Sequence, residues 1–206
     1  MKTDFNQIIN REGTQAIKLE FRKRNFGSEQ VIPLWVADMD FAVPPAVQEA
    51  LYHLFPGLWI AITNLGDEVA YIFYLPLIFW RIDRKIGTKV AMAFTISALL
   101  NTILKNAFTI PRPFVYDATL MPGLYYSGYS FPSGHAQLAS AVWLVFALSV
   151  RKRWVTWSTL ALTLLIGLSR VVLAVHYPQD VLVGLLLGWG VALWVSHMRL
   201  GEAPLN

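Results

Sequence analysis

An all-α bundle of membrane-spanning helices is the fold the sequence predicts, and three observations predict it. Hydrophobic residues make up 55% of the 206 positions and charged residues 15%, a ratio that suits a membrane protein rather than a soluble domain. The apolar residues come in blocks rather than scattered along the chain. Trp and Tyr gather near the block ends, as they do at membrane interfaces. Five membrane-spanning helices are expected, preceded by a sixth segment that is either a short span or an interfacial helix. Nothing larger than one membrane domain with a short appendage fits the length.

Residues 1–50 differ from the rest. They hold six Lys/Arg and seven Asp/Glu and no apolar run long enough to span a bilayer. Met1-Lys2 is followed by Thr3-Asp4-Phe5-Asn6, so no signal peptide is expected. Residues 31–41 read as a short strand and loop, and Pro44-Pro45 opens a helix with proline in its tolerated first turn. Fifty residues bury too little to fold alone, so this leader is expected to pack poorly. Residues 51–65 are apolar but broken by Pro56-Gly57; this is the sixth segment. Residues 69–80 form the first span, short but extended by its flanks. Residues 90–104 form the second. After a Pro/Gly/Tyr-rich loop come spans at 136–150, 154–175 and 181–196. The expected domains are therefore a leader over 1–50, a membrane domain over 51–200 and a cytoplasmic tail over 201–206.

Cation positions give the topology. The net charge of +4 could suggest a nucleic-acid partner, but the basic residues beyond the leader are explained by place. Arg81, Arg84, Lys85, Lys89, Arg151, Lys152 and Arg153 fall in two turns between spans, and Arg199 follows the last span. Those turns and the tail are cytoplasmic by the positive-inside rule. Lys105, Arg112 and Arg170 then lie at the opposite face, toward a periplasm or extracellular space. If residues 51–65 span, the leader with its Arg22-Lys23-Arg24 run is cytoplasmic. The absence of cysteine excludes disulfides and thiolate metal sites.

Three polar clusters occupy that outward face. They are Lys105-Asn-Ala-Phe-Thr-Ile-Pro-Arg112-Pro113, then Phe131-Pro132-Ser133-Gly134-His135, then Ser169-Arg170 followed by His176-Tyr-Pro-Gln-Asp180. Ionisable groups at the edges of membrane segments mark function by default. Arg112 and Arg170 suit a clamp for phosphate oxygens, because the planar guanidinium meets two oxygens at once; Lys105 adds a point charge. Ser133, Gly134 and His135 start a helix, where unpaired N–H groups and the dipole favour an anion. Gly134 admits close backbone approach and Ser133 offers a hydroxyl. His176 stands four residues before Asp180. In a helical turn that spacing puts both on one face, so the carboxylate orients a nucleophilic ring. His135 is left to protonate a departing oxygen. Asp67 and Glu68 read as solvated helix-start charges that could line the pocket mouth. Tyr125-Tyr126-Ser127-Gly128-Tyr129 reads as an aromatic belt loop. A metal between the histidines is disfavoured by the cations beside them.

Lys105-x6-Arg112-Pro113, Pro132-Ser133-Gly134-His135 and Ser169-Arg170-x5-His176-x3-Asp180 resemble the three-part signature of the type 2 phosphatidic acid phosphatase family, which is related to vanadium haloperoxidases. The match covers roughly residues 54–197. It implies a helical-bundle core and hydrolysis of phosphomonoesters or diphosphates through a phosphohistidine, without metal or other cofactor. It implies His176 as nucleophile, His135 as acid and Asp180 as partner of His176. Lys105, Arg112, Ser133, Gly134 and Arg170 would bind the phosphate. The expected substrate is a lipid phosphate of the undecaprenyl diphosphate, phosphatidylglycerol phosphate or phosphatidate class, met in the inner cell membrane. Residues 1–50 resemble instead the amino-terminal arm of pyridoxal-phosphate-dependent C–S lyases of the cystathionine β-lyase type. Arg11-Glu-Gly13-Thr14, Phe26-Gly27, Pro33-Leu-Trp35-Val-Ala-Asp38-Met39-Asp40-Phe41 and Pro44-Pro45 carry that likeness, which marks a fused or vestigial leader. The rival readings are an inactive fusion product and a protein that binds phosphate lipids without turnover.

Overall fold

The computed structural model describes Ala50 and residues 56–116 and 127–198. Among the described residues there is no strand. In chain order the elements are α1 (Pro56–Asn64), α2 (Glu68–Leu77) with its π-helical extension Ile78–Ile82, α3 (Arg84–Phe108), the single turn α4 (Pro113–Tyr116), α5 (Gly134–Val150), α6 (Arg153–Val172) and α7 (Pro178–His197). The strand and helix expected within residues 31–49, the Tyr125-Tyr126 part of the loop and the tail 201–206 lie outside the described residues.

All five expected spans are helices, with shifted ends. The second begins six residues early because Asp83 caps it, its Oδ1 accepting from Ile86 N–H at 2.8 Å. Arg84, Lys85 and Lys89 thus sit on the first turns of α3 rather than in a loop. The fourth stops at Val172 instead of continuing to 175. Arg84–Val115, Arg153–Val172 and Pro178–His197 are long and apolar enough to cross a membrane. α5, with 17 residues, measures about 25 Å. The nine helical residues of the sixth segment, Pro56–Asn64, make about 14 Å of helix, roughly half a hydrocarbon core. This α1 packs on α6.

α5 is the central helix. It touches α3, α6 and α7 and buries Ala136, Ala139, Ser140, Ala141 and Ala147 along its length. Small residues let α7 come close. A Cβ at Gly184 would stand 2.7 Å from the Ser133 carbonyl oxygen, and one at Gly188 would collide with the Ser140 hydroxyl and the Gln137 backbone. Val90 and Ala93 of α3 share an apolar core cluster with Leu138, Ala141, Val142 and Val145 of α5, and a buried polar pair joins the same two helices. Asn101 Nδ2 donates to Gln137 Oε1 at 2.8 Å, and Gln137 Nε2 donates to the Ser97 carbonyl at 3.1 Å. Buried amides that satisfy one another fix the register of the two helices. The outer surface is apolar: Leu99, Ile103, Trp154, Trp157, Leu182, Leu186 and Trp194 are exposed, as a lipid-facing surface requires. The protein is an integral membrane helical bundle. At the cationic end, Lys89 Nζ donates to the Ser196 carbonyl at 3.0 Å and ties α3 to α7.

Candidate active site

At the opposite end the bundle brings together the end of α3, the start of α5, the end of α6, the start of α7 and the α1–α2 corner. Each chain end is stopped by local chemistry. α3 ends at Thr109, whose left-handed backbone (φ 48°) returns its N–H to the Lys105 carbonyl at 2.9 Å. Pro111 then bars continuation of α3, and Pro113 opens the single turn α4. α6 ends in a reversal at Ala174 (φ 53°), and the N–H groups of Val175 and His176 both return to the Arg170 carbonyl at 3.2 Å. Pro178 stands at the first position of α7, and Asp180 Oδ2 accepts from Tyr177 N–H at 3.0 Å. His176 therefore precedes the cap of α7. Its approach to Asp180 comes from the loop between α6 and α7, not from a shared helical face as the spacing suggested.

The innermost cluster is His176, Asp180, Arg112 and Ser130, all buried. His176 Nδ1 lies 3.5 Å from Asp180 Oδ2. The Ser130 hydroxyl stands beside them, 3.4 Å from His176 Nδ1, and donates to Asp180 Oδ2. On the other side of the ring, Arg112 Nη1 lies 3.2 Å from His176 Nε2. Arg112 also donates to the carbonyls of Val175 at 3.0 Å, Gly128 at 3.1 Å and Ser127 at 3.3 Å, so it pins the loop before α5 onto the loop before α7. Ser133 N–H donates to the Asp180 carbonyl at 3.0 Å and joins the second motif to the third. Burial, with the charges of Arg170, Arg112 and Lys105 and the nearby His135, holds the His176 imidazole well below its ordinary pKa. It is neutral at physiological pH.

The remaining expected residues surround this cluster. Lys105 Nζ donates to the Tyr129 carbonyl at 2.5 Å and lies 3.5 Å from that of Ser130. Arg170, 1% exposed, donates from Nη1 to Thr63 Oγ1 at 2.6 Å. His135 Nε2 lies 3.6 Å from Asp67 Oδ2. Ser133 caps α5 without a side-chain bond, and its Oγ is buried with no hydrogen-bond partner among the described residues. A buried hydroxyl left in that state is costly unless a ligand meets it. Gly134 has a packing role as well as an open backbone: a Cβ there would stand 3.2 Å from Asn101 Oδ1.

Sequence reading missed Ser130, Thr63 and the Asn101–Gln137 pair. Ser130 and Thr63 look like ordinary turn and helix-end residues, and no spacing marks them. Asp67 was legible as a helix cap, which it is, its Oδ1 accepting from Val69 N–H at 3.0 Å. Its reading as a charge that could line the pocket mouth, joined to helix parity, is the signal that links it to His135.

Comparison with known proteins fits this geometry. The PAP2 superfamily profile matches residues 86–203. An undecaprenyl-diphosphatase of Sulfolobus acidocaldarius is 33% identical over 70% of this chain and 68% of its own length. The chain spans less of the mammalian relatives it matches, 52% of human glucose-6-phosphatase 3 and 30% of rat sphingosine-1-phosphate phosphatase 1. Among solved structures, a PAP2-type phosphatidylglycerolphosphate phosphatase from Bacillus subtilis superposes with a TM-score of 0.58 at 29% identity, over 74% of this chain and 76% of that one. LpxE from Aquifex aeolicus, at 23% identity, shares the fold, with a TM-score of 0.65 over 76% of this chain and 96% of its own. The lyase resemblance of residues 1–50 finds no support in these comparisons.

Proposed function

The chain belongs to the PAP2 superfamily, and from that premise we propose that it is a membrane lipid phosphatase working through a phosphohistidine. The observation that carries the reading is the state of His176. A guanidinium has no lone pair to offer, so at the 3.2 Å contact with Arg112 it is Nε2 of His176 that accepts. The ring proton then sits on Nδ1, facing Ser130 and Asp180. That tautomer puts the ring's lone pair at Nε2, where it becomes the nucleophile once a phosphoryl oxygen takes over the Arg112 donor, on a ring kept neutral by burial and by its cationic neighbours.

The chemistry follows from the side chains. Arg112, Arg170 and Lys105 neutralise the phosphoryl oxygens, and the Ser133 hydroxyl and the first N–H groups of α5 add donors. Nε2 of His176 forms a bond to phosphorus as the bond to the leaving oxygen breaks. That oxygen takes its electron pair and a proton from His135. Water then attacks phosphorus, loses its proton to His135, and the N–P bond returns its electrons to His176. Asp180, with Ser130 beside it, keeps the Nδ1 proton in place and stabilises positive charge on the ring.

The substrate is a lipid phosphate monoester or diphosphate of the undecaprenyl diphosphate, phosphatidylglycerol phosphate or phosphatidate class, reached laterally from the outer leaflet. The cation-rich turns near residues 81–89 and 151–153 support a cytoplasmic placement of that end. The site then faces the periplasm or the exterior from the inner cell membrane. Residues 1–50 are read as a leader distinct from the membrane domain over 51–200. Phosphate release from a panel of lipid phosphates, in membranes, tests the reading. Release by the wild type that disappears in His176→Ala is expected; lipid binding without release, or release that survives that substitution, overturns it. Equal hydrolysis of detergent-soluble short-chain phosphates would sink the lateral approach alone.

A further inference from the structure

We infer that the α1–α2 corner, which lies before the residues matched by the family profile, is a working wall of the site: Asp67 positions the acid His135 and Thr63 positions the clamp Arg170. The inference rests on the phosphatase reading above. Two residues four apart reach two different functional groups from one turn. Thr63 is fully buried and accepts from Arg170 at 2.6 Å. Asp67 divides its carboxylate. Oδ1 caps α2 through Val69 N–H, and Oδ2 faces His135 Nε2 at 3.6 Å. The corner is held against α6 by close packing: a Cβ at Gly66 would stand 2.5 Å from Ile166 Cγ2. It is therefore fixed on the helix that carries Arg170.

The electrostatic logic is simple. Arg170, Arg112 and Lys105 all bear on His135. Three cations oppose a protonated imidazole, yet the departing oxygen needs that proton. Asp67 supplies a carboxylate from the side of the ring at Nε2, 3.6 Å away. Thr63 has a different task. Its hydroxyl holds one arm of Arg170 so that the fork keeps its aim at the phosphate.

The two roles give different kinetic signatures. In kcat/KM, which closes at departure of the leaving oxygen, Asp67→Asn should lower turnover of an alkyl lipid phosphate by about tenfold or more. It should leave p-nitrophenyl phosphate within about threefold, because a nitrophenolate leaves without a proton. Asp67→Ser keeps the helix cap and should behave the same way, which separates positioning from folding. Thr63→Val should instead weaken inhibition by inorganic phosphate and raise KM, about tenfold for both substrates, with Thr63→Ser restoring both. Parallel losses on alkyl and aryl substrates in both Asp67 variants, or no loss in either, would overturn the role of Asp67. Unchanged phosphate inhibition in Thr63→Val would overturn that of Thr63. A wild type that releases phosphate from neither substrate would instead overturn the phosphatase reading itself.

Discussion

The α5–α7 pair and the α1–α2 corner contribute to the same site by opposite means. α5 and α7 meet over a stripe of Ala, Ser and Gly, with Gly184 and Gly188 leaving room for a backbone, and they carry His135 and Asp180 at their first turns. The corner is a short turn on the outside of the bundle, and it reaches the site through two side chains, Thr63 and Asp67. In the first region packing and chemistry are inseparable. In the second, the chemistry hangs on individual contacts that could be removed with the bundle intact. Membrane bundles have little hydrophobic drive between helices, so close van der Waals packing must set the positions that catalysis uses.

The largest effect should come from the packed region. Gly188→Leu forces a side chain onto the Ser140 hydroxyl and the Gln137 backbone, and it should abolish folded protein in membranes, measured by detergent extraction and size exclusion. Gly57→Ala near the start of α1, where a Cβ meets nothing within 4 Å, should change neither yield nor activity. If both glycines tolerate the change, the two regions do not differ in the way described.

Next come losses of activity without loss of fold. His176→Ala should lower phosphate release by about 10⁴-fold while the protein still extracts as a monodisperse species. Ser130→Ala should lower kcat by about tenfold with KM little changed. The Ser130 hydroxyl contacts Asp180 Oδ2 and lies 3.4 Å from His176 Nδ1, so the expected effect is on their orientation. Equal change in kcat and KM would assign Ser130 to binding instead.

The smallest effect concerns pH. The folded pKa of His176 lies below the 6.5 of an unfolded histidine. Its neutral burial therefore contributes fully above that pH, and the contribution is lost as pH falls below it, because the unfolded chain takes up a proton that the folded site refuses. Thermal unfolding between pH 7.5 and 5.5 should show the wild type losing stability by up to about 1 kcal/mol per pH unit from this group. His176→Gln should flatten that slope, and an unchanged slope would mean that the ring is protonated in the fold.

Much of this is legible in the sequence. Lys105, Arg112, Arg170, His135, His176 and Asp180 stand out because a charge at a membrane edge is costly, and helix parity put all six on one face. The helix count and the central place of the motifs followed from the same blocks. Less visible were features in which polarity is ordinary. Thr63 and Ser130 differ from other hydroxyl residues of the chain through their partners alone, Arg170 and Asp180. The Asn101–Gln137 bond joins residues 36 apart, which no local pattern encodes. The pairing of His176 with Asp180 was expected from a helical turn and arises from a loop reversal at Ala174. Spacing named the partners correctly while misjudging the backbone that joins them.

Rapid acid-free quenching after mixing with a ³²P-labelled lipid phosphate tests the central claim most directly. Phosphohistidine survives alkali and is lost in acid. The nucleophilic role of His176 predicts alkali-stable label on the peptide that contains it, absent in His176→Ala. Label on any other residue, or full turnover by His176→Ala, would contradict it.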